Sequence, residues 1–442
     1  MVNNKSMQMN SNSANHASFG FFLLAIYTFL LLARPHEWPI FDIEFPLLRT
    51  FLILTFFSYL VSFRPKIWNV QCTLLILLLF SMLLSEIRAF RYFSDLSKLI
   101  EWVNANIIPF ILYFSLLSTV KRQNVIFFIF LSSSLIMVQH AYSQIQSPTG
   151  QGWAESVVYR YDGGGESVQA RFVGTFNDPN DMGMFLVMNM PVAVYFLLTG
   201  KGVVTKVGAL ASVLMLCMGV YWSGSRGSLL GLLSVFFCLF YIKFGKVKAI
   251  ILASISIPGV LVAMGTFRKI SKDDESASQR LTAWYEGIQM LKHRPLFGFG
   301  KERFLEYHSK VAHNTYVTVM AELGIFGYVM WAMFMITALY MLLSVMKCND
   351  VSPGHEEALK KEQVLSQYLL VALIGYAVTA FFISRSYIMV VYIFVAMVAA
   401  MYYRVGKITP LSLNGGIIRK IGGLAVLSLG ALYFAIRILL SL

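Results

Sequence analysis

The residues of this chain best suited to chemistry gather in one stretch. From Arg280 to Phe326 it reads RLTAWYEGIQMLKHRPLFGFGKERFLEYHSKVAHNTYVTVMAELGIF, charged, aromatic and rich in hydrogen-bond donors within a largely apolar sequence. Arg280, Trp284, Gly287 and Leu291 recur at helical spacing, which predicts one amphipathic helix running up to Pro295. Pro295 stops that helix, and Gly298 and Gly300 then form a flexible turn. His313 and Asn314 stand just before the next apolar run, where a membrane helix would begin. A basic helix, a glycine turn and a lone histidine at a membrane surface form a candidate site for an anionic lipid head group. An imidazole with its ordinary pKa near 6.5 suits a general base acting on a sugar hydroxyl. The ordinary alternative for His313 is a satisfied polar residue, and for Arg280 a solvated helix residue.

Three other segments carry candidate groups. In YWSGSRGS (Tyr221 to Ser228), glycines and serines leave Arg226 accessible. An arginine fork matches phosphate oxygens in a bidentate, charge-assisted way. Against that stands a tight turn with one snorkelling arginine. Arg385, in SRS, lies at a second span end. The segment RFVGTFNDPNDMG (Arg171 to Gly183) reads equally as a turn capping the next span, with Asp181 or Asn180 as N-cap, or as a sugar-binding or gating element. On the second reading Asn177 and Asn180 bind substrate, alongside Trp284, Asn314, Tyr316 and Arg385. Asp42 and Glu44 in FDIEF raise a divalent-metal role, but the chain offers no further hard-cation ligand set. Glu322, Glu86, Arg88 and Arg91 read as structural or interfacial. No P-loop, GxGxxG, HExxH or nucleophile elbow is present.

The elements that position these groups are membrane helices. Of 442 residues 57% are hydrophobic and only 13% charged, against about 25% charged in soluble domains, and the mean hydropathy is +0.66. The expected fold is an all-α polytopic membrane protein of about 12–13 spans, with residues 1–442 as a single membrane domain. Apolar runs that approach the roughly 20 residues of a span lie near 18–33, 47–63, 70–84, 103–119, 124–143, 182–199, 204–222, 228–243, 248–265, 316–346, 366–383, 387–403 and 421–442. The last run could instead lie in the interface. The first reads as a retained span rather than a cleaved signal peptide, because it ends at Arg34-Pro35 without an A-x-A-like site.

Short loops on one side collect Lys66, Lys121, Arg122, Lys201, Lys206, Lys347, Lys360, Lys361, Arg404 and others, which predicts a cytoplasmic N-terminus. The long loops 144–181 and 266–315 then both face outward, and so do Arg226, Arg280, His313 and Arg385. Charges at membrane margins usually have a partner or a task. The net charge of +14 follows from the same loop bias and does not call for nucleic acid. Four cysteines show neither a disulfide framework nor metal-type spacing.

SGSRGSLLGL, the Arg280-x3-Trp284 helix, HRPLFGFG and AHNTYVTVMAELGIFGY, in this order, resemble the O-antigen ligase and polymerase superfamily over roughly 170–345. GTFNDPNDMG resembles that family's Asn-Pro-Asn segment before a span. The resemblance implies a C-type membrane glycosyltransferase of the bacterial inner membrane with its active site facing the periplasm. It implies transfer of a glycan from undecaprenyl diphosphate to an acceptor hydroxyl, with inversion and with neither metal nor cofactor. The family's membrane-end arginine corresponds to Arg226, its periplasmic-helix arginine to Arg280 and its essential histidine to His313. The usual count of twelve spans puts the segment 421–442 in question.

Transfer to lipid A–core would make the chain an O-antigen ligase, the reading favoured by the compact R…W…HN arrangement. Joining repeat units on the lipid carrier would make it an O-antigen or exopolysaccharide polymerase, and a protein acceptor an O-oligosaccharyltransferase. A lipid-linked-sugar transporter would show repeat symmetry and ionisable groups near the bilayer midplane, whereas these charges gather at one face.

Overall fold

The computed structural model describes residues 2–41, 44–62, 66–89, 96–162, 165–251, 254 and 275–440. Its helices in chain order begin with α1 (Val2–Ala33), α2 (Leu47–Ser62), α3 (Val70–Ala89), α4 (Leu96–Trp102), α5 (Ile108–Leu116) and α6 (Val120–Gln146). α7 (Pro179–Thr199), α8 (Val203–Trp222), α9 (Arg226–Phe244), α10 (Glu275–His293) and α11 (Phe304–Tyr307) follow. The chain continues with α12 (Thr315–Lys347), α13 (Glu356–Thr379), α14 (Met389–Val405) and α15 (Gly415–Leu439). The architecture is all-α, as composition predicts. An antiparallel hairpin, β1 (Val158–Asp162) with β2 (Gly165–Gln169), adds local structure within the segment read as a plain loop. Its register runs from Val158 opposite Gln169 to Asp162 opposite Gly165.

Among the described residues, eight helices are long and apolar enough to cross a membrane, counting 96–116 as one, and Ser18–Ala33, Leu47–Ser62 and Met389–Val405 are shorter apolar helices. The run 248–265 lies mostly outside the described residues, and Asp42, Arg64 and Arg91 lie outside them altogether. The run 366–383 falls mostly on the second half of α13, behind the charged turns of EEALKKE. Gly415–Leu439 meets the length and composition of a span.

The chain divides into two compact units, residues 1–67, 111–269 and 354–376 in the first and 68–110, 270–353 and 377–442 in the second. In the first, α7 packs against α6, α8 and α9. It is buried continuously from Asp181 to Ala193, as expected of a helix apolar on every side. In the second, α12 packs on α3, α10, α14 and α15, and α14 is buried continuously from Val390 to Tyr402. α15 buries only Ile421, Ala425, Leu429 and Ile436, while Leu424, Val426, Leu427, Phe434 and Ile438 are exposed. Such an outward apolar face matches the hydrocarbon of a bilayer.

Helix starts follow their side chains. Asp178 caps α7, its side chain accepting from the Asn180 amide at 2.8 Å. The cap is therefore Asp178 rather than Asp181 or Asn180. Pro179 lacks an N–H and has a fixed φ that suits the first helical position, so the cap falls on the residue before it. Asn314 caps α12, accepting from the Tyr316 and Val317 amides at 3.0 and 3.1 Å.

A 33-residue helix such as α12 would run about 50 Å at 1.5 Å per residue, well beyond a hydrocarbon core of about 30 Å. Gly324 breaks it, with φ 66° and ψ −165°. The part after the break, from Ile325, is about 35 Å long on the same rise, a single span.

Candidate functional site

The second unit holds Arg280, Trp284, His313, Asn314, Tyr316 and Arg385. α10 carries Arg280 half-buried, with Ala283, Trp284, Gly287, Ile288 and Leu291 buried along one face and Ser278, Thr282, Tyr285 and Lys292 exposed. The amphipathic helix predicted from spacing is thus present, ending two residues before Pro295. A Cβ on Gly287 would lie 2.5 Å from Val317 Cγ1, so this glycine sets the close approach of α10 to the start of α12. One turn after Arg280, the Trp284 indole nitrogen donates to the Ala312 carbonyl at 2.8 Å. The next residue is His313, half-buried, with a left-handed φ of 47°. A histidine in that region is uncommon and needs surrounding structure to hold it. Here the Trp284 bond precedes it and the Asn314 cap follows it.

The segment 380–386 closes the other side. The Thr315 amide donates to the Ala380 carbonyl at 2.8 Å, and the Thr315 hydroxyl to the Ile383 carbonyl at 2.6 Å. The Arg385 amide donates to the Thr315 hydroxyl oxygen at 3.0 Å. The Ser384 hydroxyl oxygen accepts from the Asn314 amide at 3.3 Å and from the Thr318 hydroxyl at 2.9 Å. The Tyr316 hydroxyl donates to the Ala377 carbonyl at 2.8 Å, and Trp284 meets the Phe381 ring edge-on at 5.4 Å. Three segments far apart in sequence thus share one hydrogen-bonded knot around His313. Within it Asn314 is fully buried, and among the described residues its side-chain nitrogen has no acceptor.

Beneath the knot, the break at Gly324 pairs with the turn after α10. The Ile325 and Phe326 amides, freed by the break, donate to the Pro295 and Leu296 carbonyls at 2.8 and 3.1 Å. The Gly300 amide donates to the Glu322 carbonyl at 2.9 Å. Gly298 and Gly324 both have positive φ, and a Cβ on Gly298 would fall 2.3 Å from the Glu322 carbonyl oxygen. In this turn the glycines let two backbones touch. HRPLFGFG and AELGIFG are therefore two halves of one joint.

The Glu322 carboxylate, 2% exposed, accepts from the Glu302 and Phe304 amides at 3.0 and 3.2 Å and from the Tyr387 hydroxyl at 2.8 Å. Glu86 accepts from the Lys301 amide at 2.9 Å and pairs with the buried Arg303 at 3.1 Å. These contacts bear out the structural reading of Glu322 and Glu86. Arg88 has no described side chain, and Arg91 lies outside the described residues. Lys301, Arg303, Ser384 and Tyr387 were not legible as partners, because their contacts with Glu86, Thr318 and Glu322 cross from 65 to 217 positions of sequence.

The first unit holds Arg226, Asn177 and Asn180. Ser225 caps α9, accepting from the Ser228 amide at 3.2 Å, and its hydroxyl donates to Asn180 Oδ1 at 2.7 Å. Asn180 Nδ2 donates to Asp178 at 2.9 Å. A Cβ on Gly183 would lie 2.4 Å from the Ser228 hydroxyl, so the N-terminal turns of α7 and α9 lie in contact. Gln169 and Ala170, at the end of the hairpin, donate to the Gly224 and Trp222 carbonyls at 3.0 and 2.9 Å. Arg226, half-buried, is the first residue of α9, where the helix dipole adds positive potential to its charge. Asn177 is exposed one residue before the Asp178 cap of α7, and the bonds of Asn180 tie the two helices together. Glu44 is exposed, and no group of three or more His, Cys, Asp or Glu among the described residues could hold a metal ion.

A family model described as O-antigen ligase matches residues 210–332. The matched segment, less than half of the chain, contains Arg226, Arg280, Trp284, His313, Asn314 and Tyr316 and both halves of the glycine joint. It supports the resemblance to the O-antigen ligase and polymerase superfamily. No curated protein matches the chain.

Proposed function

We propose that this chain is an inverting, metal-independent membrane glycosyltransferase. It moves a glycan from undecaprenyl diphosphate to an acceptor hydroxyl on the periplasmic face of the bacterial inner membrane, and the acceptor is lipid A–core, as for an O-antigen ligase. The observation that carries the reading is the knot around His313, which lies largely inside the segment resembling O-antigen ligases. A half-buried imidazole stands there beside a buried amide with uncommitted hydrogens, one residue after a carbonyl fixed from the arginine-bearing helix.

In the proposed reaction Arg226 and Arg280 hold the diphosphate and stabilise the negative charge that grows as the lipid leaves. His313 orients the acceptor hydroxyl and takes its proton as the oxygen attacks the anomeric carbon. The new glycosidic bond forms on the face opposite the breaking bond between the anomeric carbon and the bridging phosphate oxygen, and undecaprenyl diphosphate departs with that oxygen. Asn314, Tyr316, Trp284 and Arg385 surround the reacting end, and Asn177 and Asn180 bind glycan.

The test is transfer by the purified chain from undecaprenyl-diphosphate-linked repeat units, in EDTA, with and without lipid A–core. Product formed only with lipid A–core present is the expected result. A ladder of longer lipid-linked glycans without it would assign a polymerase instead. Loss of activity in EDTA would bring Asp42 and Glu44 back as metal ligands.

A further inference from the structure

An open groove of about 570 Å³ lies in the second unit, walled by α12, by residues 377–382 and by α15. Its volume is within the range of small-molecule sites, roughly 300–1,000 Å³. Tyr316 and Tyr328 line it from α12, Phe381 and Phe382 from the turn after α13, and Ser428, Ala431 and Ala435 from α15.

The polar atoms on these walls are already engaged. The Tyr316 hydroxyl donates to the Ala377 carbonyl. Ser428 gives its hydrogen to the Ala425 carbonyl at 2.7 Å, so Tyr328 is the donor in the 3.3 Å contact between Tyr328 and Ser428. No charged residue lines the groove. An occupant would therefore find aromatic faces and small side chains but no uncommitted donor, which favours hydrocarbon over sugar or phosphate. α15 also exposes Leu427, Phe434 and Ile438, as a helix facing lipid would.

Phe381 joins this groove to the knot, because its ring meets Trp284 at 5.4 Å and Tyr316 at 6.3 Å. Tyr316 lines the groove only three residues after His313. A diphosphate held beside α10 would thus leave the first units of its alkyl chain at Tyr316 and Phe381. We propose that the groove binds the polyprenyl chain of the lipid-linked donor, and that α15, which lies outside the segment matched to O-antigen ligases, supplies its outer wall. This rests on the transferase reading above.

The test compares donors carrying an undecaprenyl or a short geranyl chain, using the full-length protein and its Ala431→Trp and Ala431→Leu variants. Elution as a single species in size-exclusion chromatography checks that each variant is folded. Wild type should show a lower KM for the undecaprenyl donor. Ala431→Trp should raise that KM about tenfold or more, since each buried methylene contributes about 0.8 kcal/mol. Ala431→Leu should raise it less, and neither should change the geranyl KM or kcat. An unchanged undecaprenyl KM in folded variants would overturn the groove.

Photo-crosslinking reads the groove without turnover. With p-benzoylphenylalanine at Leu432, membranes containing undecaprenyl phosphate should give a polyprenyl adduct, and adducts with phospholipid alone would overturn the proposal. No transfer by wild type with a polyprenyl adduct intact would count against the transferase reading and leave the groove standing.

Discussion

The side-chain oxygen of Asn314 closes the first turn of α12, while its nitrogen carries hydrogens that no described residue accepts. The two roles separate by substitution. Asn314→Ala removes the cap, worth about 1 kcal/mol, and should lower the melting temperature of the detergent-solubilised protein. Asn314→Asp keeps an acceptor for both amides and places a negative charge at a helix N-terminus, which the dipole favours. Its melting temperature should hold while transfer falls about a hundredfold, because the amide donor is gone and a carboxylate meets the diphosphate. Wild-type transfer by Asn314→Asp would take that amide out of substrate binding. Arg280→Ala and His313→Ala should each cut transfer by about 10²–10⁴-fold with expression unchanged. Near-normal rates in either would remove that residue from the mechanism. At this scale the sequence singles out His313, Arg280 and Arg226 as candidates, because charged and titratable groups are rare among apolar spans. It did not distinguish Asn180 as ligand from Asn180 as tie. Only the tertiary structure shows the Ser225–Asn180–Asp178 chain of bonds, in which that side chain bridges the starts of α7 and α9.

The joint between the turn after α10 and the break in α12 works through backbone contact, so its sensitivity lies at glycine. Gly324→Ala and Gly298→Ala each introduce a Cβ within 2.7 Å of backbone atoms at a positive φ. Each should therefore destabilise the protein by more than the roughly 1 kcal/mol of an alanine forced to positive φ. Limited proteolysis would show this as faster cleavage between Arg294 and Glu306, whereas Gly354→Ala, with positive φ but open space around it, should stay resistant. Equal protection of Gly324→Ala and wild type would mean that the joint yields without cost. Arg303→Ala should cost about 3–5 kcal/mol, since it leaves the Glu86 carboxylate largely buried without its cation. Thermal unfolding measures it, and adding Glu86→Gln should recover part of the loss. The helices themselves were legible from periodicity and proline, as the end of α10 before Pro295 shows. The joint was not, because Gly-x-Gly reads as flexible until its partner backbone is known.

At the scale of the molecule, the candidate groups fall into two units, Arg226 with Asn177 and Asn180 in one and Arg280, His313 and Arg385 in the other. The proposed chemistry needs both sets at one diphosphate on one side of the membrane. In a cysteine-free background, Ser309→Cys, exposed after α11, should react with an impermeant maleimide in intact spheroplasts. Asn349→Cys, exposed after α12, should react only after lysis. Labelling of Asn349→Cys in intact cells would reverse the orientation and with it the periplasmic placement of the site.

Sequence alone determined the solvent of this protein and its helical class, and it nominated a short set of groups for an anion site. Each of these follows from the content and order of apolar and charged residues, which a bilayer sorts by transfer free energy. The tertiary structure decided what those groups touch. It drew Ala312, Thr315 and 380–386 into one knot, gave Gly298 and Gly324 each other as neighbours, and made Glu322 an anchor for Tyr387 and two loop amides. Those pairings span from 18 to 71 residues. They depend on helix packing and hydrogen-bond satisfaction between distant segments, which no local pattern encodes.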